Sequence, residues 1–144
     1  MEETVRRVSV VLFEGFELLD VFGPVELLSL APGIRVEYVG PAAGPVASSQ
    51  GGEVVAQHAH GDLADPDILL VPGGMGTRRL VARWVHDRDR WTSSGVAAGM
   101  DMTAALIADL RGTQAARAAA RLAEYEPYTD AACDPFAAIH GLAD

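Results

Sequence analysis

DILLVPGGMG, residues 67–76, is the stretch whose reading decides the fold. Ile68, Leu69, Leu70 and Val71 form an apolar run without polar alternation, which suits a strand covered on both faces. Pro72-Gly73-Gly74 then ends that strand in a turn. A second run of the same kind, RVSVVLF at residues 7–13, is followed by Glu14-Gly15. Between the two lies a helical pattern at residues 16–30, with apolar residues at 18, 19, 22, 25, 27, 28 and 30. It fits a helix starting near Glu17 that is interrupted at Gly23-Pro24 and restarts with Pro24 at its first position. Strands that alternate with helices argue for an α/β domain with a mainly parallel sheet.

The rest of the chain extends this reading. Residues 34–39 (IRVEYV) alternate as a strand, and residues 40–44 turn. Residues 45–48 and 53–57 flank Ser49-Gln50-Gly51-Gly52 as a hairpin, and residues 58–66 read as a loop. Residues 77–86 leave two readings open. Thr77 can cap a helix carrying Leu80, Val81, Trp84 and Val85, or residues 83–86 and 90–93 form a hairpin around Asp87-Arg88-Asp89. Residues 91–94 are strand-like, residues 100–110 helical, and Gly112 stops that helix. Residues 113–125 form an alanine-rich helix with Thr113 as its N-cap. The expected organisation is one domain over residues 1–126 and an irregular tail over 127–144, without internal repeats.

Size and charge exclude several classes. A chain of 144 residues is one domain by length, and 49% hydrophobic residues are enough to bury a core. No apolar run reaches the roughly 18 residues of a membrane span. The start, MEETVRRVSVVLF, is acidic first and apolar later, the reverse of a signal peptide. One cysteine cannot form an internal disulfide. A cytoplasmic protein is expected. The net charge is −9, and all eleven basic residues are arginine. Their one cluster, Arg78, Arg79, Arg83, Arg88 and Arg90, is diluted by Asp87 and Asp89. A solvated face is therefore expected, not a nucleic-acid surface.

Three segments in order carry a resemblance: VLFEGFELLDVFGPVELL (residues 11–28), DPDILLVPGGMGTRRL (65–80), and HDRDRWTSSGVAAGMDMTAALIADLRGTQAAR with AEYEP (86–117, 123–127). They resemble the PfpI superfamily, and within it the isonitrile hydratase branch and the amidotransferase-like domains of some transcription regulators. The resemblance implies a flavodoxin-like three-layer sandwich, a homodimer, a small-molecule ligand and no cofactor or metal. It implies hydro-lyase chemistry that converts an isonitrile to an N-substituted formamide. The family nucleophile is a cysteine on a tight turn after the PGG strand, where a helix N-terminus favours the thiolate. Asp20 matches the acidic position of the isonitrile hydratase branch, and Glu17 sits nearer the position used by the deglycase-like branch. Gly73 and Gly74 match glycines whose backbone borders the site. Between the second and third segments, residues 77–89 contain no Cys or Ser. The resemblance thus implies a fold shortened by loss of a central strand–elbow–helix unit, with the nucleophile in it. It also favours the hairpin reading of residues 83–93.

Other residues carry chemistry of their own. Cys133, in AACDPF, has no strand before it and no helix after it, so it reads as an ordinary tail cysteine. Ser93 and Ser94 sit between a strand and a helix, but no histidine is locally placed to activate either. His58, His60 and Asp62 form a metal pattern that lacks a fourth ligand. Glu17 and Asp20, three apart, share one side of a helical turn as a general acid–base pair, or serve as carboxylates favoured by the helix dipole. Asp101 reads as a first-turn carboxylate, and Trp84 and Trp91 as packing residues. Gly73-Gly74-Met75-Gly76 lacks the lysine of a phosphate-binding loop.

A shortened sheet needs repair. Residues 91–94 can pair with 68–71 through a crossover over 77–86, giving the order 34–39, 7–13, 67–72, 91–94. Alternatively, the open edge pairs across a dimer. Three functions follow: a catalytically impaired family member, a cysteine-independent hydratase acting through Asp20 and Glu17, or a metal-binding module at His58 and His60. The first is the expectation.

Overall fold

The structure, a computed structural model, describes residues 5–63, 65–74 and 84–135. Eight strands and three helices are described: β1 (Arg6–Val11), α1 (Leu18–Ser29), β2 (Ile34–Gly40), β3 (Gly44–Ala47), β4 (Glu53–Ala56), β5 (His58–Ala59), β6 (Ile68–Leu70), β7 (Trp84–Asp87), β8 (Arg90–Ser93), α2 (Val96–Arg111) and α3 (Thr113–Leu122). The main sheet runs β5-β2-β1-β6, and every pairing in it is parallel. This is the expected α/β architecture of the flavodoxin-like kind. β1 is central, and Val8, Ser9 and Val10 are all fully buried, as a strand covered on both faces requires.

The core gathers on one side of β1. Val8, Val10 and Leu12 cluster with Val21, Leu27 and Leu28 of α1, Ile107 of α2 and Ala119 of α3. Fully burying each large apolar side chain contributes about 1.5–3 kcal/mol. The alternate residues meet a different setting. Leu69 and the following Val71 are 52% and 62% exposed. Among the described residues, no helix is long and apolar enough to cross a membrane.

Several details depart from the sequence reading. α1 is continuous through Gly23-Pro24, with Pro24 inside it. Gly23 allows α2 to come close: a Cβ there would lie 2.8 Å from Met100 Cγ. Packing across that contact holds one helix where local signals suggested two. The expected hairpin of residues 45–57 is present as β3 and β4, paired antiparallel. The expected loop at 58–66 instead opens with β5, which pairs with the end of β2, and with a single 3-10 turn at His60–Asp62.

β7 and β8 form an antiparallel hairpin, with Trp84 opposite Ser93 and Asp87 opposite Arg90. The helical reading fails at residues 84–86, while residues 77–83 lie outside the described residues. The order that set 91–94 beside 67–72 is also overturned. β8 pairs with β7, and among the described residues β6 pairs only with β1. Stacking of the hairpin's aromatic rings outweighs the helical periodicity: Trp84 and Trp91 stack at 5.6 Å, and His86 lies on Trp91 at 3.8 Å. α2 begins at Val96, four residues earlier than expected. Gly112, at φ +87°, is both the C-cap of α2 and the N-cap of α3, so Thr113 is the first helical residue and not the cap.

Candidate functional site

The chain leaves β1 through α1 toward β2, whereas β6 lies on the other side of β1. Strand order therefore reverses at β1. In open parallel sheets, the crevice beyond the strand C-termini at such a reversal is where ligands bind. Here that place is bounded by residues 12–20 after β1 and residues 71–74 after β6.

Three of the four sequence-selected residues are tied together there. Gly73 N donates to Asp20 Oδ2 at 2.9 Å, and Glu17 N donates to Gly73 O at 2.9 Å. The PGG turn is thus held to the first turn of α1 by both its donor and its acceptor. Glu17 is the N-cap residue, with extended backbone angles, and Asp20 lies in the first turn. Both carboxylates sit where the helix dipole favours negative charge. Both are half-buried. Gly74 completes the border: a Cβ added there would lie 3.6 Å from Gly15 O and 3.8 Å from Phe13 Cε2. Those are ordinary contacts, so Gly74 borders the cleft without being forced to be glycine.

The loop between β3 and β4 forms the facing wall. Gln50 Nε2 donates to Glu17 Oε2 at 2.8 Å, and its Oε1 accepts from Leu18 N at 3.1 Å. One amide group therefore supplies a missing N-terminal cap to α1 and orients the Glu17 carboxylate. Ser49 N donates to Phe16 O at 2.9 Å and Gly15 N to Ala47 O at 2.9 Å, which fastens this loop along the chain after β1. Gln50 is 33 residues from Glu17. No local pattern signals it; only the turn glycines around it hint at a hairpin loop that must come to rest against something.

The remaining candidates lie elsewhere. His60 Nε2 is 3.1 Å from Leu12 O, and His58 is exposed on β5. Among the described residues, no three His, Cys, Asp or Glu side chains come together as metal ligands. Ser94 Oγ donates to Asp134 Oδ2 at 3.0 Å. Cys133 is an exposed free thiol. Asp101 is not in the first turn of α2, which begins at Val96. It is 2% exposed, and its Oδ1 accepts from Tyr125 Oη at 2.6 Å and Tyr128 N at 2.7 Å. This buried carboxylate fastens the chain after α3 onto α2, a role the sequence reading missed.

Two oriented carboxylates, a fixed backbone turn and a primary amide brought together at the strand C-termini can hold a small polar molecule and exchange protons with it.

Comparison with known proteins places this geometry. Residues 6–88 match the DJ-1/PfpI family. A ThiJ/PfpI family protein from Pseudomonas syringae superposes with a TM-score of 0.79 at 22% identity, over 86% of this chain and 76% of that one. DJ-1 of Toxoplasma gondii, in oxidized form, superposes with a TM-score of 0.75 at 16% identity, over 84% of this chain and 99% of its own. An AraC family transcriptional regulator from Pseudomonas putida gives 0.70 at 19% identity, over 82% and 99%. At these identities the likeness is one of fold. No curated protein matches the chain.

Proposed function

The chain belongs to the DJ-1/PfpI family, and from that premise we propose that it is a small-molecule-binding member that lacks the cysteine chemistry its resemblance to isonitrile hydratases implies. The observation that carries this reading is the separation of the chain's one thiol, on Cys133 after α3, from the cluster of Asp20, Glu17, Gln50 and Gly73, which gathers at the start of α1 and the end of β6. The chain's one cysteine, Cys133, follows α3 and is exposed. An activated thiolate needs a helix N-terminus or a neighbouring cation. Among the described residues, no helix begins after Cys133. Asp20 and Glu17 act in this reading as acceptors that hold the turn and orient the ligand. The implied homodimer finds support in the apolar surface at Leu69 and Val71.

The test is an isonitrile hydration assay on the whole chain, following the N-substituted formamide. The expected result is no turnover above buffer, together with saturable ligand binding by thermal shift that weakens in Asp20→Ala. Turnover that disappears in Cys133→Ala would restore the cysteine nucleophile and overturn the reading. Turnover that survives Cys133→Ala but disappears in Asp20→Asn would establish cysteine-independent hydration through Asp20 and Glu17 instead.

A further inference from the structure

Residues 117–126, RAAARLAEYE, carry their charges in a particular order. Arg117 and Arg121 come before Leu122, and Glu124 and Glu126 come after it. All five side chains are exposed. Leu122, at 69%, is more exposed than any other large apolar side chain among the described residues. The two arginines lie one turn apart on α3, where like charges repel. The two carboxylates follow the C-terminal end of α3, where the helix dipole disfavours negative charge. Among the described residues, no ion pair joins any of the four charges. Each of them therefore gains from an opposite charge brought from outside.

The order of these charges is its own complement. Laid antiparallel to a copy of itself about a two-fold axis at Leu122, the segment brings Arg121 of one copy beside Glu124 of the other, and Arg117 beside Glu126. The axis makes each contact twice, as an isologous interface requires. A parallel arrangement would set arginine against arginine and carboxylate against carboxylate. Leu122 meets its own copy at the axis and leaves water. The chain as a whole carries a charge of −9, so two copies repel in general, whereas this segment holds two charges of each sign. Beside it, Ala104 and Ala108 of α2 and Ala116 and Ala120 of α3 wall a partly open cavity of about 1030 Å3. Short side chains of this kind let a neighbouring helix approach closely.

We propose that residues 117–126 form a surface on which a second copy of this chain docks antiparallel. The proposal rests on the homodimer reading above, sets the contact at α3 and not at Leu69 and Val71, and leaves the cleft at Asp20 and Gly73 free.

The test is the mass of the whole chain in solution, measured by sedimentation up to about 100 µM. The expected parent is a dimer. Arg117→Glu combined with Arg121→Glu weakens association about tenfold or more, and so does Glu124→Arg combined with Glu126→Arg, because each sets like charges across the axis. All four positions are exposed, so circular dichroism shows the fold unchanged. An equimolar mixture of the two double variants associates again, and so does the fourfold variant, whose charge order is reversed but still complementary. A parent that is monomeric at about 100 µM overturns the proposal and the homodimer reading together. A dimer that both double variants preserve overturns the proposal alone, and its loss in Leu69→Lys would then keep the homodimer reading. Double variants that dissociate and are restored neither by mixing nor by the fourfold reversal also overturn it, since lost charge pairing is not then the cause.

Discussion

Replacing Asp101 with alanine tests the claim that one buried carboxylate holds the chain after α3 in place. Asp101 is 2% exposed and accepts two short hydrogen bonds, from Tyr125 Oη at 2.6 Å and Tyr128 N at 2.7 Å. Hydrogen bonds to a charged group contribute about 1.5–3 kcal/mol each. Tyr128 is exposed, so its released N–H finds water and its bond counts near the lower end. Tyr125 is half-buried and counts more fully. Removing the carboxylate also removes the unfavourable burial of its charge, which offsets part of the loss. The net expectation is a loss of about 2–4 kcal/mol, or a Tm lowered by roughly 10 °C at this chain length. Urea denaturation gives the free energy, and amide exchange at Tyr128 locates it. Asp101→Asn keeps one acceptor oxygen and loses about half as much. Tyr125→Phe removes a single donor to that charge and costs about 1.5–3 kcal/mol. If Asp101→Ala lies within about 0.5 kcal/mol of the parent, the size of a neutral surface change, the reasoning is refuted. Unchanged Tyr128 protection would refute it equally.

Three further outcomes are expected. Asp20→Ala speeds amide exchange at Gly73 by about tenfold or more, since the 2.9 Å bond from Gly73 N loses its acceptor; Asp20→Asn gives an intermediate rate, and an unchanged rate would contradict the geometry. Gly40→Ala destabilises by about 1–3 kcal/mol, because the new Cβ would lie 2.8 Å from Ala56 Cβ and 3.1 Å from Val46 Cγ2. Adding Ala56→Gly recovers part of that loss, and strictly additive urea midpoints would show that the two positions do not meet. The backbone N–H of Arg7, with Arg6 assisting, holds the Asp67 carboxyl below its ordinary value. A lowered carboxyl contributes stability above its unfolded value and loses it as pH falls through the folded one. Asp67→Asn therefore flattens the acid limb of the Tm–pH profile; identical acid limbs would refute this.

The elements most legible in the sequence were those whose signal is local and whose burial is on both sides. β1 reads directly from RVSVVLF, and Val8, Ser9 and Val10 are fully buried in it. The β3–β4 hairpin reads from its glycine turn in the same way. The neighbourhood of Glu17, Asp20, Gly73 and Gly74 was legible through the family resemblance, and the sheet brings them together because β1 and β6 are adjacent and parallel. Residues 84–93 misled because Leu80, Val81, Trp84 and Val85 fit a helical face. The hairpin is set instead by the stacking of Trp84, His86 and Trp91, a contact that spans the turn.

The sequence by itself determined the class of the chain, an α/β domain with parallel strands, and its family. Apolar runs and helical periodicity are local quantities, and the motif residues stand in order along the chain. Only the tertiary structure decided that Gln50 orients Glu17, that α1 continues through Pro24, and that Asp101 is a buried clamp and not a helix-end charge. Each of those depends on partners 24 to 77 residues away or on the close approach of two helices. Periodicity and propensity describe a residue's neighbours along the chain and carry no information about which distant group its polar atoms will meet.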